Sequence, residues 1–361
     1  MGRGLRAFAA LCVLAVLAAI AIQRFLARDA GETAPPATGT FRIATWNLGW
    51  LLEATKPDRL KNMRRVVESL GPHILAAQEV ESKVALTGIL PPGYTIAMAD
   101  DPEEDQELAV AFKAPFKLAG KPRILFTKPS QDSAFPGRRN VLEVGLRSPS
   151  GEVVQVIVVH YKSRGGGRTE SDPSRIEASR LLLDYLQGRR YKSAILLGDF
   201  NDTPDDASIN ILESGNHLGG EINDDPGKYF VNLMQSFYDD DYVTQGFFRR
   251  FRGMAIEPVV RGASKDNNRL RGQYYQFPRD VKVTQALFDQ ILVSPPLYRQ
   301  FHNAAIYCHD NALAGRESQV TRNKQGLAII KLHGTLPSDH LPVYADFRYG
   351  SIEPTDVPKD N

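Results

Sequence analysis

The chain has 361 residues, of which 42% are hydrophobic, so it can bury the core of one large domain or of two small ones. Its 44 basic and 42 acidic residues leave a formal net charge of +2, which excludes a global electrostatic attraction to nucleic acid or to a membrane surface. Any basic surface that binds such a partner must therefore be local.

The N-terminus has the layout of an export signal. Two arginines precede an apolar run from Ala7 to Ile22, and Arg24 and Arg28 follow it. This order is typical of a secretory signal peptide or of an uncleaved signal anchor. Because no small-x-small cleavage site directly follows the run, residues 1–28 favour the anchor, with cleavage and secretion as the alternative. We expect the rest of the chain to be extracytoplasmic, and attached to the membrane if the segment is retained.

The remainder of the chain is interpreted as one domain. Residues 29–40 are small, polar and proline-containing, as expected of a linker. After Phe41 no second linker, internal repeat or low-complexity tract follows until the polar tail at 351–361. The predicted domain therefore covers residues 41–350.

Strands and helices alternate within this domain. Short apolar runs and period-two alternation predict strands, and apolar residues at helical spacing predict helices. In chain order we expect a strand at 41–48, a helix at 57–70, strands at 73–80 and 107–113, a hairpin of 141–148 with 152–163, a helix at 174–188, a strand at 191–200, a helix at 205–214, and strands at 286–294 and 341–349. The helix at 57–70 has one apolar face, formed by Leu60, Met63, Val66, Val67 and Leu70. The alternation favours an α/β architecture with helices packed outside mixed sheets.

Polar side chains stand where several apolar strands stop or where the last one is about to begin. These residues are Asn47, Glu79, His160, Asp199, Asn201, Asp289, Asp339 and His340. Each of them alone has a structural explanation, and in LLGDFND (196–202) the acid and the amide could simply cap the helix that follows. As a set they form the oxygen and imidazole complement of a hydrolytic site built around a hard cation.

The residue types also indicate roles at such a site. Asn47 and Glu79 can supply oxygen ligands to a divalent ion, and a set this sparse suits Mg²⁺ better than Ca²⁺. Asp199 and Asn201 could orient an attacking water and a phosphate oxygen. His340 with an acidic partner could act as a general base or stabilise charge.

The loop that follows His160, HYKSRGGGR, has the composition of a phosphate-binding loop. It carries Lys162, two arginines and three glycines, although it lacks a Walker pattern. Other hydrolytic chemistries fit less well, because the sequence has neither a G-x-S-x-G elbow nor an HExxH zinc motif. Glycoside hydrolysis by two carboxylates gives no reason for the amides and the histidines.

Taken in order, six stretches carry a resemblance to a known family. They are TWNLGW, AAQEV, VVHYKS, LLGDFND, FDQILVS and SDHLPVYADF, and they resemble the motif series of the endonuclease/exonuclease/phosphatase superfamily, the deoxyribonuclease I-like proteins. The likeness spans residues 41 to 349. It implies an α/β (α+β) four-layer sandwich, in which two mixed β-sheets pack face to face with helices outside. It also implies phosphodiester hydrolysis that depends on Mg²⁺ or Mn²⁺, in a membrane-anchored or exported bacterial-type member.

The resemblance also implies which residues carry the chemistry. His160 would match the position that assists the leaving group, and His340, paired with Asp289, the base or phosphate-contacting histidine. Asp199 and Asn201 would match the pair that positions water and phosphate. The metal-site positions would be matched by Asn47 and Glu79, with Asp339 near them.

The motifs leave the phosphoester open, since the superfamily acts on DNA, RNA, inositol phosphates and sphingomyelin. Arg138, or Arg139 in an equally compatible register, would contact the substrate phosphate beside Lys162. Residues 215–285 interleave arginine with Phe and Tyr, which could bind a nucleic-acid backbone and stack on bases, or could simply pack the segment down. We predict a nuclease that acts on DNA or RNA. A phosphodiesterase for a phosphoinositide or sphingomyelin headgroup and a non-catalytic binding module with this fold are the alternatives.

Overall fold

The computed structural model describes residues 36–98, 106–164, 168–189, 191–219, 229–239, 242, 244–245, 251–252, 255–256, 287–307, 318–322, 328–332 and 337–349. The predicted signal segment at 1–28, most of the linker, most of the segment at 215–285 and the tail at 351–361 lie outside these residues, so what the sequence indicates for them stays a prediction. Within the described ranges, no helix combines the length and the apolar character needed to cross a membrane.

The elements follow the expected order, with additions. The helices are α1 (Pro57–Leu70), α2 (Lys83–Thr87), α3 (Arg168–Arg189), α4 (Ala207–Ser214), α5 (Gln235–Asp239) and α6 (Pro295–Tyr298). The strands are β1 (Thr40–Leu51), β2 (Ile74–Val80), β3 (Tyr94–Met98), β4 (Glu107–Lys113), β5 (Lys117–Leu118), β6 (Arg123–Leu125), β7 (Val141–Arg147), β8 (Val153–His160), β9 (Ala194–Asp199), β10 (Val231–Asn232), β11 (Phe251–Arg252), β12 (Ala255–Ile256), β13 (Asp289–Val293), β14 (Phe301–Ile306), β15 (Ser318–Arg322), β16 (Ala328–Leu332) and β17 (Val343–Arg348). Every predicted helix and strand is present.

Two mixed sheets form the centre of the fold. The first has the order β14-β17-β1-β2-β4-β3, in which β1 and β2 pair in parallel and the other neighbours pair antiparallel. The second has the order β10-β13-β9-β8-β7-β5, with β6 also on β7, and here β8 and β9 form the parallel pair. The prediction of two mixed sheets is confirmed.

The second sheet is buried on both faces, which explains its continuous apolar strands. Successive residues of β8 alternate between two core clusters: Val156 and Val158 pack into a cluster shared with the first sheet, and Ile157 and Val159 into another. The second cluster also contains apolar residues of α3 and α4, such as Leu182 and Leu212. The helices α3 and α4 therefore cover the outer face of this sheet.

Helix α1 covers the first sheet. Pro57 starts it, and Gly71, in the left-handed region with φ of 59°, ends it by donating its N–H to Val67 O at 2.9 Å. Its apolar residues Met63 and Val66 pack into the shared cluster as the sequence predicts, while Leu60 is only half-buried. The layers are thus helix, sheet, sheet and helix.

A buried ion pair fixes β1 against β17. Arg42 and Asp346 face each other in the register of the two strands, with Nε 2.7 Å from Oδ1 and Nη2 2.8 Å from Oδ2. Arg42 Nη1 also donates to Leu70 O at 3.0 Å, at the end of α1. This arginine therefore ties a strand pair to a helix end.

Candidate active site

Three adjacent strands of the second sheet bring three of the predicted residues together. Asp199 ends β9, and the register pairs it with His160 on β8 and with Asp289 on β13. The residue before it, Gly198, has φ of 140°, and a Cβ there would lie 2.0 Å from Val159 O. Only glycine allows β9 this close to β8 at the point where Asp199 enters the cleft.

The first sheet supplies Asn47 and Glu79 to the same cleft. Asn47 lies on β1 and Glu79 on the neighbouring parallel strand β2. Asn47 Nδ2 is 3.1 Å from Glu79 Oε1 and 3.0 Å from Asp199 Oδ2, so this amide joins the two sheets. Glu79 has φ of 58°, in a region that non-glycine residues seldom adopt and that concentrates at functional sites.

One carboxylate oxygen, Asp199 Oδ2, lies at the centre of the arrangement. Besides the Asn47 amide, it accepts a hydrogen bond from Asn201 Nδ2 at 3.1 Å. Two imidazole nitrogens also face it, His160 Nε2 at 3.6 Å and His340 Nε2 at 3.8 Å. Side chains from four separate stretches of the chain thus converge on a single atom.

Asp199 and Asn201, the two polar residues discussed in LLGDFND, therefore face the cleft. The cap position of α4 is held by Asp206, which accepts hydrogen bonds from Thr203. Asn201 has φ of 52° and donates its side-chain N–H also to Tyr161 O at 3.1 Å. The helix-cap interpretation of Asp199 and Asn201 is wrong, because α4 begins several residues later.

His340 is held as a cation. Its Nδ1 lies 2.9 Å from Asp289 Oδ2, and Trp46 Nε1 donates to its carbonyl at 2.9 Å. Burial lowers the pKa of His340, but the negative charges of Asp289 and Asp199 outweigh this effect and raise it to about 10. At neutral pH both ring nitrogens therefore carry protons, one directed to Asp289 and the other towards Asp199.

Burial shifts the pKa values of two groups next to His340, Asp199 and His160, in the direction that favours the neutral form of each. Burial raises the pKa of Asp199 to about 7, although the charge of His340 and the hydrogen bonds from Asn201 and Asn47 oppose this shift. Burial, together with the charges of Arg139 and His340, holds the pKa of His160 well below its usual value, so this ring is neutral. The site thus places a neutral imidazole, an imidazolium and a carboxyl group with a pKa of about 7 side by side.

Asp339 lies half-buried beside His340. Its charge is the second cause, after burial, of the raised pKa of Glu79. Arg139 is also close to the site, since its charge lowers the pKa of both His160 and Lys162.

Of the two arginine registers left open by the sequence, the structure describes the side chain of Arg139 alone. Arg139 Nη2 donates to the buried Gln106 Oε1 at 2.5 Å. The backbone of Arg138 belongs to the turn Pro136–Arg138, and its side chain is outside the described part. Lys162 is half-buried, and burial is the main cause of its lowered pKa.

A buried ion network that was not predicted lies behind Asn201. Arg164, expected to be available to phosphate, is 4% exposed and donates to Asn201 O at 2.9 Å and to Asp202 Oδ1 at 2.8 Å. Arg175 Nε lies 2.8 Å from the same Asp202 oxygen, and its Nη1 donates to Lys162 O at 2.8 Å. Charged residues spaced along a loop and a helix resemble a solvated surface, so nothing local in the sequence indicates this pairing.

The donor atoms fit a hard divalent cation. Asn47, Glu79 and Asp339 supply oxygens, and a cation there would offset the two causes that raise the pKa of Glu79, which are its burial and, second, the charge of Asp339. Asp199, Asp289 and His340 also offer atoms within 4.8 Å of one another. The first set is the better candidate, because all of its donors are oxygens, which a hard divalent cation prefers.

A comparison with sequence models of protein families identifies the family of this chain. The sequence model of the Endonuclease/Exonuclease/phosphatase family matches residues 44–340, which include every strand end described above. A comparison with curated proteins gives no match.

Solved structures of the same fold come from several organisms. D. rerio TDP2 complexed with single-strand DNA product has a TM-score of 0.52 and 14% identity, over 86% of this chain and 99% of that chain. Truncated Caenorhabditis elegans TDP2 has a TM-score of 0.52 and 17% identity, over 86% and 98%. An endonuclease/exonuclease/phosphatase family protein from Bacteroides thetaiotaomicron has a TM-score of 0.52 and 14% identity, over 88% and 100%. At these identities the likeness establishes the fold alone. With most of the chain matched by the family and the two-sheet fold in place, the protein belongs to the Endonuclease/Exonuclease/phosphatase family of hydrolases.

Proposed function

We propose that this protein is a divalent-metal-dependent phosphodiesterase that hydrolyses DNA or RNA, with Mg²⁺ or Mn²⁺ as its cation. The observation that carries the proposal is the convergence on Asp199 Oδ2 of two amides and two imidazoles, with a carboxylate-rich pocket beside it. Nucleic acid as substrate is supported by the fold shared with D. rerio TDP2, which was solved with a single-strand DNA product.

Asn47, Glu79 and Asp339 would hold the cation. When bound there, it would act as a Lewis acid on the substrate phosphate and orient that phosphate in the cleft. Asn47 Nδ2 contacts both Glu79 and Asp199, so the same amide sets the spacing between the cation pocket and the reacting carboxylate.

Asp199 is proposed as the group that takes a proton from the attacking water. A pKa near 7 suits this role, because a general base works best when its pKa is close to the operating pH. The amides of Asn47 and Asn201 hold its Oδ2 in place, and the Asn201 backbone N–H donates to Oδ1 at 2.9 Å. These hydrogen bonds fix both oxygens before substrate binds.

The two histidines are proposed to stabilise the charge that develops on the phosphate. His340 would donate its Nε2–H to a phosphate oxygen, and Asp289 maintains its positive charge. His160, neutral and buried, would hydrogen-bond the phosphate or the leaving oxygen without repelling the cation. Arg139 and Lys162, at the edge of the cleft, would contact the substrate backbone.

We also propose, from the sequence, that residues 1–28 anchor the domain on the extracytoplasmic side of the membrane, or direct its secretion if they are cleaved. The linker at 29–40 would then separate the membrane from a catalytic domain at 41–350. Fractionation of cells expressing the full chain, with N-terminal sequencing of the product, tests both alternatives.

The activity test uses the purified full-length protein and a panel of phosphoesters. Plasmid DNA, single-stranded DNA and RNA should each be incubated with Mg²⁺ or Mn²⁺, in parallel with phosphoinositide and sphingomyelin vesicles. We expect nucleic acid to be cut, EDTA to stop the reaction, and Asp199→Asn to abolish it. Asp184→Asn, which changes an exposed aspartate on α3, is the matched control and should retain activity.

Other results would point elsewhere. Turnover of the lipids without cleavage of nucleic acid would move the proposal to a lipid-headgroup phosphodiesterase. If no phosphoester is hydrolysed with Mg²⁺, Mn²⁺ or Ca²⁺, the protein is a binding module that uses this fold.

A further inference from the structure

Arg59 has an unusual environment for an arginine on an amphipathic helix. It lies on α1 at the buried face, four residues before Met63, and is 3% exposed. Its guanidinium donates to four backbone carbonyls: Leu48 O at 2.6 Å, Gly49 O at 2.7 Å, Trp50 O at 3.2 Å and Pro337 O at 3.0 Å. A surface helix gains nothing from burying a charge in this way, since its desolvation is costly.

The four carbonyls belong to two segments that are far apart in the sequence. Residues 48–50 directly follow Asn47, and Pro337 lies two residues before Asp339. Arg59 therefore connects the stretch after one proposed cation ligand to the stretch before another.

The first of these segments is an irregular stretch of β1, where its pairing with β2 shifts register between Asn47 and Leu51, and it is called the turn at 48–50 below. Its backbone is strained. Gly49 has φ of 53° and Trp50 has φ of 59°, and the left-handed region is a clear outlier for a bulky residue such as tryptophan. Strain of this kind persists only where the surroundings hold the backbone in place. Three of the four hydrogen bonds of Arg59 go to this turn, so its guanidinium supplies that constraint.

The N–H groups of the same turn contact the proposed ligands. Gly49 N donates to Asn47 Oδ1 at 3.0 Å, and Trp50 N donates to Glu79 Oε2 at 3.0 Å. On the other segment, Ser338 Oγ donates to Asn47 O at 2.7 Å. The turn thus has its carbonyls on Arg59 and its amides on the two side chains that would hold the cation.

We infer that Arg59 is a positioning residue for the cation site: it fixes the turn at 48–50 and the segment before Asp339, and thereby the oxygens of Asn47, Glu79 and Asp339. The inference rests on the proposed function, because it concerns the same cation. Groups that orient metal ligands in this way commonly change metal affinity by 10- to 100-fold when they are removed.

The sign of the effect separates positioning from electrostatics. Burial lowers the pKa of Arg59 to about 10, against the charges of Asp339 and Glu79, so the side chain is still a cation at neutral pH. Removal of a positive charge next to a cation site would, by Coulomb's law alone, tighten cation binding. Loss of positioning would weaken it instead.

The test is direct Mn²⁺ binding to the full-length protein, measured by electron paramagnetic resonance of free Mn²⁺ and by calorimetry. We expect Arg59→Gln to bind Mn²⁺ about 10- to 100-fold more weakly than the unmodified protein. Arg59→Lys, which keeps the charge but loses the planar fork, should also bind more weakly. The matched control is Arg42→Gln, which removes a second buried arginine, on strand β1, and should lower the unfolding temperature without changing Mn²⁺ affinity.

Equal or tighter Mn²⁺ binding by folded Arg59→Gln would overturn the inference and leave the proposed function standing. If Arg59→Gln does not fold, Arg59→Lys decides in the same way, with unchanged affinity counting against positioning. Absence of Mn²⁺ and Mg²⁺ binding by the unmodified protein would instead remove the proposed function, and the inference with it.

Discussion

His340 Nδ1 and Asp289 Oδ2 lie 2.9 Å apart in a buried contact between the segment before β17 and the start of β13. This contact keeps the histidine charged, since Asp289 is the largest of the influences that raise its pKa. The contact of Asp289 with His340 therefore sets the charge of the imidazole that faces the cleft.

The pH dependence of activity should show the effect of Asp289 on the pKa of His340. With His340 protonated in the proposed mechanism, activity should persist to high pH and decline as pH rises through about 10. Asp289→Asn removes the main cause of the raised pKa, so the decline should move to lower pH and kcat should fall by about 10²-fold or more. A pH–rate profile of both proteins measures this. An alkaline limb that stays in place would show that His340 does not need its charge.

Asp199 should limit activity on the acidic side. Because burial raises its pKa to about 7, activity should increase as pH rises through neutrality and the carboxyl group loses its proton. The same shift destabilises the fold: the stability that this protonated carboxyl contributes is present below the unfolded pKa and is lost as pH rises through about 7.

Asp199→Asn should therefore inactivate the enzyme and yet raise its unfolding temperature at alkaline pH in metal-free buffer. At pH values below the ordinary range of an aspartate the difference in unfolding temperature should vanish, which thermal unfolding at two pH values can measure. A lower unfolding temperature for Asp199→Asn under alkaline, metal-free conditions would contradict the raised pKa.

Asn201 combines a side-chain function with a strained backbone. Loss of its amide in Asn201→Ala and Asn201→Gly should lower kcat by about 10²- to 10³-fold, because an oriented donor at the reacting carboxylate disappears. Both variants lose the hydrogen bonds of the amide, but glycine tolerates φ of 52°, so the alanine variant should be less stable than the glycine variant by about 1 kcal/mol. Denaturant unfolding alongside kinetics separates the two effects. Equal stability of the two variants would mean that the left-handed conformation costs nothing here.

Substitution of Gly198 tests whether the close approach of β8 and β9 requires glycine. A Cβ at this position would lie 2.0 Å from Val159 O at a φ of 140°, so Gly198→Ala should destabilise the fold by about 1–3 kcal/mol or more and displace Asp199. Gly188→Ala is the control, because Gly188 lies in α3 with no neighbour within 4 Å of the added Cβ. That change should stabilise the protein by about 0.5–1 kcal/mol. The prediction fails if both variants unfold at the same denaturant concentration.

Much of the fold could be predicted because its signals are local. The amphipathic helix at 57–70, the strand that carries Asn47 and the apolar strands that end in His160 and Asp199 have their patterns within a few residues. Where local signals were ambiguous, the predictions differ from the structure. A helix was predicted at 174–188, but helix α3 begins at Arg168 and has Pro173 inside it. Strands β3 and β14 were not predicted, since edge strands are half exposed and alternate weakly.

The sequence by itself determined which residue types stand at the strand ends and in what order, since these follow from local patterning and from motif spacing. Only the tertiary structure decided which atoms meet. Asp199 Oδ2 gathers partners from Asn47 and His340, each more than a hundred residues away, because sheet register and face-to-face packing are non-local. Arg59 is the clearest case: its spacing on α1 cannot distinguish it from a solvated arginine, and the carbonyls that bind it arrive from two other parts of the chain.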